Sequence, residues 1–207
     1  MSARQPWAAA LMDFRLRSAE PTDRSRVSRF LAAMDREGLY ARHFAHGEAP
    51  NLALLDRIDA LGRGKRAVVL AVGRDGEVLG HGEYVAEHDA AEFAFMVSPR
   101  HRARGLGTAL LRALLDIGMA AGVTRMHGMI QASNTRALQL VRKNGFRVVP
   151  GGDATVVIVS RDLTLSRDAR PAQLSDRDLL SFICHDPDRT PLHRRPGPRA
   201  PLRAGGG

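Results

Sequence analysis

The segment Arg100-His101-Arg102-Ala103-Arg104-Gly105-Leu106-Gly107 constrains this chain more than any other, because it joins a β-rich run to a long apolar-periodic helix. Upstream, Phe93 to Val97 reads as a strand broken by Ser98-Pro99. Downstream, Leu110, Leu111, Leu114, Leu115 and Ile117 recur at helical spacing until Gly122. Such a loop can bind phosphate: its glycines let backbone N–H groups approach an anion, and the following helix adds free N–H groups and a positive dipole end. Arg102 and Arg104 would add charge. A Gly-x-Gly pair also serves plain turns, so the loop alone does not decide the matter. Two other phosphate motifs are excluded. A dinucleotide fingerprint needs a third glycine where Leu110 stands, and the Gly-Lys-Ser/Thr of a P-loop is absent.

Around this loop the chain reads as mixed α/β. Residues 1–13 look like a leader. Phe14 to Arg17 alternates as a half-buried strand, and Pro21, Thr22 and Asp23 offer helix-start chemistry for a helix carrying Val27, Phe30, Leu31 and Met34 as far as Gly38. A short helix is expected near Leu52 to Ile58. Ala67 to Val72 and Val78 to Val85 flank an Asp75-Gly76 turn and read as a hairpin, hence antiparallel, which does not suit a Rossmann unit. Arg125 to Ile130 reads as a strand, Asn134 to Lys143 as a helix, and Phe146 to Val149 with Thr155 to Val159 as two closing strands. From about Leu165 the composition turns to Pro, Arg, Asp and Gly, so the expected organisation is one domain over 14–164 and a mostly disordered tail over 165–207, with one helix at Asp176 to Ile183.

The 207 residues suit one medium domain with extensions. The formal net charge of +9 is almost all arginine, with lysine only at Lys65 and Lys143, and it favours an anionic partner. A phosphate-bearing cofactor satisfies that as well as nucleic acid does, and only 5% of residues are aromatic, which leaves no stacking face for nucleic acid. A single cysteine, Cys184, excludes an intrachain disulfide; the histidines show no metal-ligand pattern, and no metal is expected. No apolar stretch reaches the ~20 residues of a membrane span, so the expected location is the cytoplasm.

Two motifs carry a resemblance. Arg102-Ala103-Arg104-Gly105-Leu106-Gly107-Thr108 follows an Arg/Gln-x-x-Gly-x-Gly/Ala pattern, and Asn134-Thr135-Arg136-Ala137 through Asn144-Gly145-Phe146 follows an Asn-x-x-Ala pattern ending in Gly-Phe. In both the chain resembles the GNAT superfamily of N-acetyltransferases, over about Phe14 to Asp162. Within it the chain is most similar to bacterial Pat-type protein-lysine acetyltransferases, through Ala91-Glu92-Phe93-Ala94 and His43-Phe44. The resemblance implies a mixed, mostly antiparallel sheet flanked by helices, and acetyl-CoA as acyl donor. It also implies Gly105, Leu106, Gly107 and Thr108 on the pyrophosphate with Arg102 and Arg104 lining it, Asn134 near the pantetheine arm, and Met96 and Val97 pairing their backbone with the pantetheine amides. One N–H of that strand would polarise the thioester carbonyl.

Direct transfer to an amine needs that amine neutral, so a lysine acceptor with a pKa near 10.4 must lose a proton to a base. Glu92 is the candidate, since the resemblance places the base there and burial beside Phe93 and Phe95 would raise its pKa. The alternative is an ordinary strand carboxylate facing solvent or pairing with an arginine. His81, Glu83, Tyr84 and His88 are nearby alternatives. Val141 follows Leu140 where many members of the superfamily carry a tyrosine to protonate the leaving thiolate. Two functions therefore stand: acetyl transfer to a primary amine, either a small molecule or a protein lysine, and acyl-CoA binding without turnover.

Overall fold

The computed structural model describes residues 14–43, 55–56, 66–151 and 154–164. The most buried strand is β2 (Arg66–Gly73), whose residues after Arg66 are all buried. A strand with apolar side chains on both faces needs a layer on each, and it has them. The alternate residues Ala67, Val69 and Ala71 enter one core, while Val68, Leu70 and Val72 enter a second on the other face.

β1 (Phe14–Ser18), β3 (Val78–Glu87) and β4 (Ala90–Val97) join β2 in antiparallel register, as the Asp75-Gly76 turn predicts for β2 and β3. β5 (Arg125–Gln131), β6 (Arg147–Pro150) and β7 (Val156–Asp162) complete a seven-stranded sheet in the order β1-β2-β3-β4-β5-β7-β6. Only β4 and β5 run parallel, bridged by α3 (Leu106–Ala120). This is the expected mixed, mostly antiparallel sheet flanked by helices. Helix α3 packs its leucines on one face with α4 (Thr135–Lys143), whose Leu138 and Val141 join the same core. On the other face α1 (Arg24–Ala32) contributes Val27, Phe30 and Leu31 to the second core.

One helix differs from its expectation. The apolar spacing from Val27 to Met34 predicts a single helix ending at Gly38, but α1 stops at Ala32 and a separate α2 occupies Arg36–His43, with Gly38 inside it. Asp35 makes the break. Its carboxylate accepts the backbone N–H of Gly38 at 2.9 Å in the manner of an N-cap, while its carbonyl accepts Leu39 N–H at 3.1 Å. The expected helices near Leu52 to Ile58 and at Asp176 to Ile183 lie outside the described residues, apart from 55–56. No helix among the described residues is long and apolar enough to cross a membrane.

Candidate functional site

The pairing of β4 with β5 is short. It covers Ala90–Arg125, Ala91–Met126 and Glu92–His127 and then stops, so the remainder of β4 diverges from β5. Ser98 N–H donates to Leu79 carbonyl at 2.9 Å, which fixes the alternation: even-numbered residues of β4 turn their peptide groups to β3. Beyond the Glu92–His127 pair, the peptides of Phe95 and Val97 consequently face the gap. An unpaired strand edge opens onto the space between β4 and β5, and it ends at the basic loop. Of the two residues expected to pair with a pantetheine arm, Val97 turns its peptide to this gap and Met96 turns its own to β3.

The loop itself is built on left-handed backbone. Ala103 has φ 61° and Gly105 φ 86°, with Arg104 between them outside that region. For Ala103 this conformation costs about 1–2 kcal/mol. Alternation of this kind turns successive N–H groups toward one concavity. Gly105 is the N-cap of α3 and offers no side chain, so no side chain caps the helix. The first-turn N–H groups of Leu106, Gly107 and Thr108 have no intrahelical acceptor and, among the described residues, no other partner is seen. A Cβ built on Gly105 would meet nothing within 4 Å, so the mouth of this turn is open. Gly107 answers a different need: its Cβ would lie 3.0 Å from Leu140 Cδ1 of α4 and 3.5 Å from the Phe95 ring, so its small size lets α4 close against the start of α3. An uncapped helix start with a left-handed approach suits an anion, and the residues present fit a pyrophosphate group.

The other expected site residues are distributed unevenly about this cradle. Arg104 is exposed on the loop. Arg102 is not directed at the cradle. Its guanidinium forms a fork with Asp35, Nη1 to Oδ2 at 2.7 Å and Nη2 to Oδ1 at 2.6 Å. Nothing in the sequence signals this partner, 67 residues away. Asn134 caps α4, its Oδ1 accepting Ala137 N–H at 3.1 Å, and its side-chain amide nitrogen, beyond the C-terminal end of β5, has no partner among the described residues.

Glu92 is exposed, and the burial expected beside Phe93 and Phe95 is not there. Successive strand residues point to opposite faces: Phe93 enters the core under α3, while Glu92 and its neighbour His127 lie on the other face. Glu92 is also the last residue of β4 paired to β5, so it stands where the two strands part. Beside it on the same face, Met129, Ile158 and Val149 line up across β5, β7 and β6 and are 54%, 38% and 45% exposed. The alternatives separate by environment. Glu83 is buried and ion-paired to Arg66, and His81 is fully buried on the same face of β3. Tyr84 lies in the opposite core, and His88 takes φ 57° in the β3–β4 turn. Val141 is fully buried among the leucines of α3 and has no polar atom to offer.

Comparison with known proteins agrees with this geometry. A mycothiol acetyltransferase of Clavibacter michiganensis subsp. michiganensis is 34% identical over 109 residues, which is 52% of this chain and 36% of that protein. The chain therefore matches about a third of the length of that curated relative. The GNAT domain of S. lividans PAT superposes with a TM-score of 0.65 at 22% identity, covering 74% of this chain and 96% of that one. A phosphinothricin acetyltransferase (Pat) from Sinorhizobium meliloti, solved in complex with AcCoA, gives a TM-score of 0.60 at 21% identity over 81% and 97% of the two chains. The family described as Acetyltransferase (GNAT) matches residues 31–146, which take in α2, the parting strands and the phosphate-type loop, and the chain belongs to that family.

Proposed function

We propose that the protein moves an acetyl group from acetyl-CoA to a primary amine by direct transfer. One observation carries the reading. The strand edge freed where β4 leaves β5 and the uncapped start of α3 lie at the two ends of one loop, residues 98–105, so the N–H groups of Phe95 and Val97 and those of Leu106, Gly107 and Thr108 serve a pantetheine arm and a pyrophosphate respectively. The structural neighbour from Sinorhizobium meliloti was solved with AcCoA, in keeping with this donor.

The bound donor supplies a thioester whose carbonyl carbon accepts an amine. In this reading Gly105, Leu106, Gly107 and Thr108 hold the pyrophosphate by backbone N–H groups, and Arg104 adds charge at the rim. The Val97 peptide, facing the gap, pairs with the pantetheine arm or donates to the thioester carbonyl oxygen, and the side-chain nitrogen of Asn134 faces the same arm. Glu92, exposed where the strands part, takes the proton of the incoming amine directly or through water. Val141, buried and without a polar atom, does not protonate the thiolate, which leaves unassisted; a thiol pKa of about 8.5 tolerates that. The exposed Met129, Ile158 and Val149 form the surface beside which the acceptor enters. The relatives' names cover mycothiol and phosphinothricin, in keeping with a small amine, and the resemblance of Ala91-Glu92-Phe93-Ala94 to Pat-type lysine acetyltransferases keeps a protein lysine beside it.

The test is acetyl-CoA-dependent thiol release with a panel of protein lysines, phosphinothricin and small primary amines. Turnover with a member of the panel is expected, and Glu92→Gln is expected to lower kcat by about 100-fold or more. Unchanged kcat in that variant removes Glu92 from the mechanism. The buried Val141 favours a second reading, acyl-CoA binding without turnover, which tight donor binding with no thiol release from any amine would select.

A further inference from the structure

We propose that Asp35 is a positioning residue for the donor site, acting through Arg102. The inference rests on the donor site proposed above and concerns what holds its loop in shape. Three observations converge on it.

The first is geometry. Arg102 immediately precedes Ala103, whose left-handed backbone is unfavourable for a residue with a Cβ and persists only when its surroundings hold it. The fork between Arg102 and Asp35 supplies that hold, at 2.7 and 2.6 Å, with both guanidinium nitrogens and both carboxylate oxygens engaged. The second is the local environment of the carboxylate. Asp35 is held below its ordinary pKa by the Arg102 hydrogen bonds, which outweigh the effect of burial, with the Gly38 N–H assisting. The third is space. A Cβ on Gly38 would lie 2.6 Å from Arg102 Nη2, so α2 carries a glycine where the guanidinium passes over its first turn.

Asp35 thus has two tasks: it starts α2 and it anchors the loop. The N-terminal turn of α2, on the face of the sheet shared by Glu92, is tied to the phosphate-type loop at the end of β4. Arg102, its guanidinium spent on Asp35, serves the donor by shaping the backbone of residues 103 to 108 and does not itself touch the phosphates.

The two roles for Arg102 predict opposite signs. If Arg102 shapes the loop, Asp35→Asn in the full chain weakens acetyl-CoA about tenfold or more by calorimetry and raises its KM, with kcat changed less than threefold. Acetyl-pantetheine, which lacks the pyrophosphate, loses no affinity. Amide exchange without donor then accelerates at both Ala109, bonded to Gly105 carbonyl, and Leu39, bonded to Asp35 carbonyl. Arg102→Lys, which keeps the charge and loses the fork, reproduces the loss, and the double variant adds little to it. If Arg102 instead binds phosphate, freeing it by Asp35→Asn leaves donor affinity unchanged or tighter, and that result overturns the proposal, as does faster exchange confined to Leu39. Should Asp35→Asn fail to fold, amide exchange in Arg102→Lys decides alone: faster exchange at both Ala109 and Leu39 is expected, and unchanged exchange at Ala109 overturns the proposal. Wild type that binds no acetyl-CoA defeats the donor site itself, whereas wild type and Asp35→Asn binding equally well defeat only the role of Asp35.

Discussion

Helix α1 is bracketed by two arginine–aspartate forks of nearly equal geometry and unlike surroundings. Before it, Arg17 reaches Asp23 with both nitrogens at 2.6 Å, and the Asp23 side chain is 1% exposed. Beyond it, Arg102 reaches Asp35 at 2.6 and 2.7 Å, and the Asp35 side chain is 39% exposed. Asp23 also accepts the Glu20 N–H at 3.0 Å and Arg26 at 3.1 Å, so its lone pairs are fully committed to fixing β1 against the start of the helix. The same chemistry acts on the fold in one case and on a loop of the candidate site in the other. Burial decides which, because removing a partner from a dry pair strands a charge, whereas water replaces a partner at the surface.

The largest expected effect lies at the buried end. Asp23→Asn should cost about 3 kcal/mol of stability in urea denaturation, since Arg17 and Arg26 both lose their acceptor charge. A loss under about 1 kcal/mol would erase the contrast between the two ends.

Acid should discriminate next. Burial alone would push the Asp23 carboxyl up, but the hydrogen bonds from Arg17, Glu20 N–H and Arg26 prevail and hold it at about 2, against an ordinary value of 3.8. A lowered folded pKa means stability that is complete above the ordinary value and lost as pH falls toward the folded one. Between about pH 4 and pH 2 the wild type should lose about 2 kcal/mol through this group, and Asp23→Asn should lack that part of the slope. The smallest expected change in stability is at the exposed end. Asp35→Asn should cost about 1 kcal/mol or less in the same denaturation, while donor affinity falls as described. Asp35→Asn unfolding as readily as Asp23→Asn would make both forks structural.

These two forks also mark the limit of what the sequence discloses. Strand and helix were legible wherever period and turn chemistry agree, as in the Asp75-Gly76 hairpin and the leucine rows of α3. The loop from Arg100 to Gly107 was legible as a phosphate-type turn because glycine carries its backbone requirement in its identity. Gly107 showed half of its meaning: its packing against Leu140 depends on where α4 lies, which local pattern does not encode. The partner of Arg102 was not legible at all, since Asp35 stands 67 residues away at a break inside a run that keeps its apolar spacing. Glu92 teaches the converse. Its opposition to Phe93 follows from the period of two in a strand, so its exposure was available in the sequence once parity was applied to Ala91 and Phe93, both buried.

The central claim is that the uncapped start of α3 and the freed edge of β4 form the acetyl-CoA site. Calorimetric titration of acetyl-CoA into wild type and Gly107→Glu, with folding of each checked by circular dichroism, tests it most directly. Saturable binding by wild type that Gly107→Glu abolishes, by forcing the start of α3 away from Leu140, is the predicted result. A folded wild type that gives no binding, or a folded Gly107→Glu that binds as well as wild type, would contradict it.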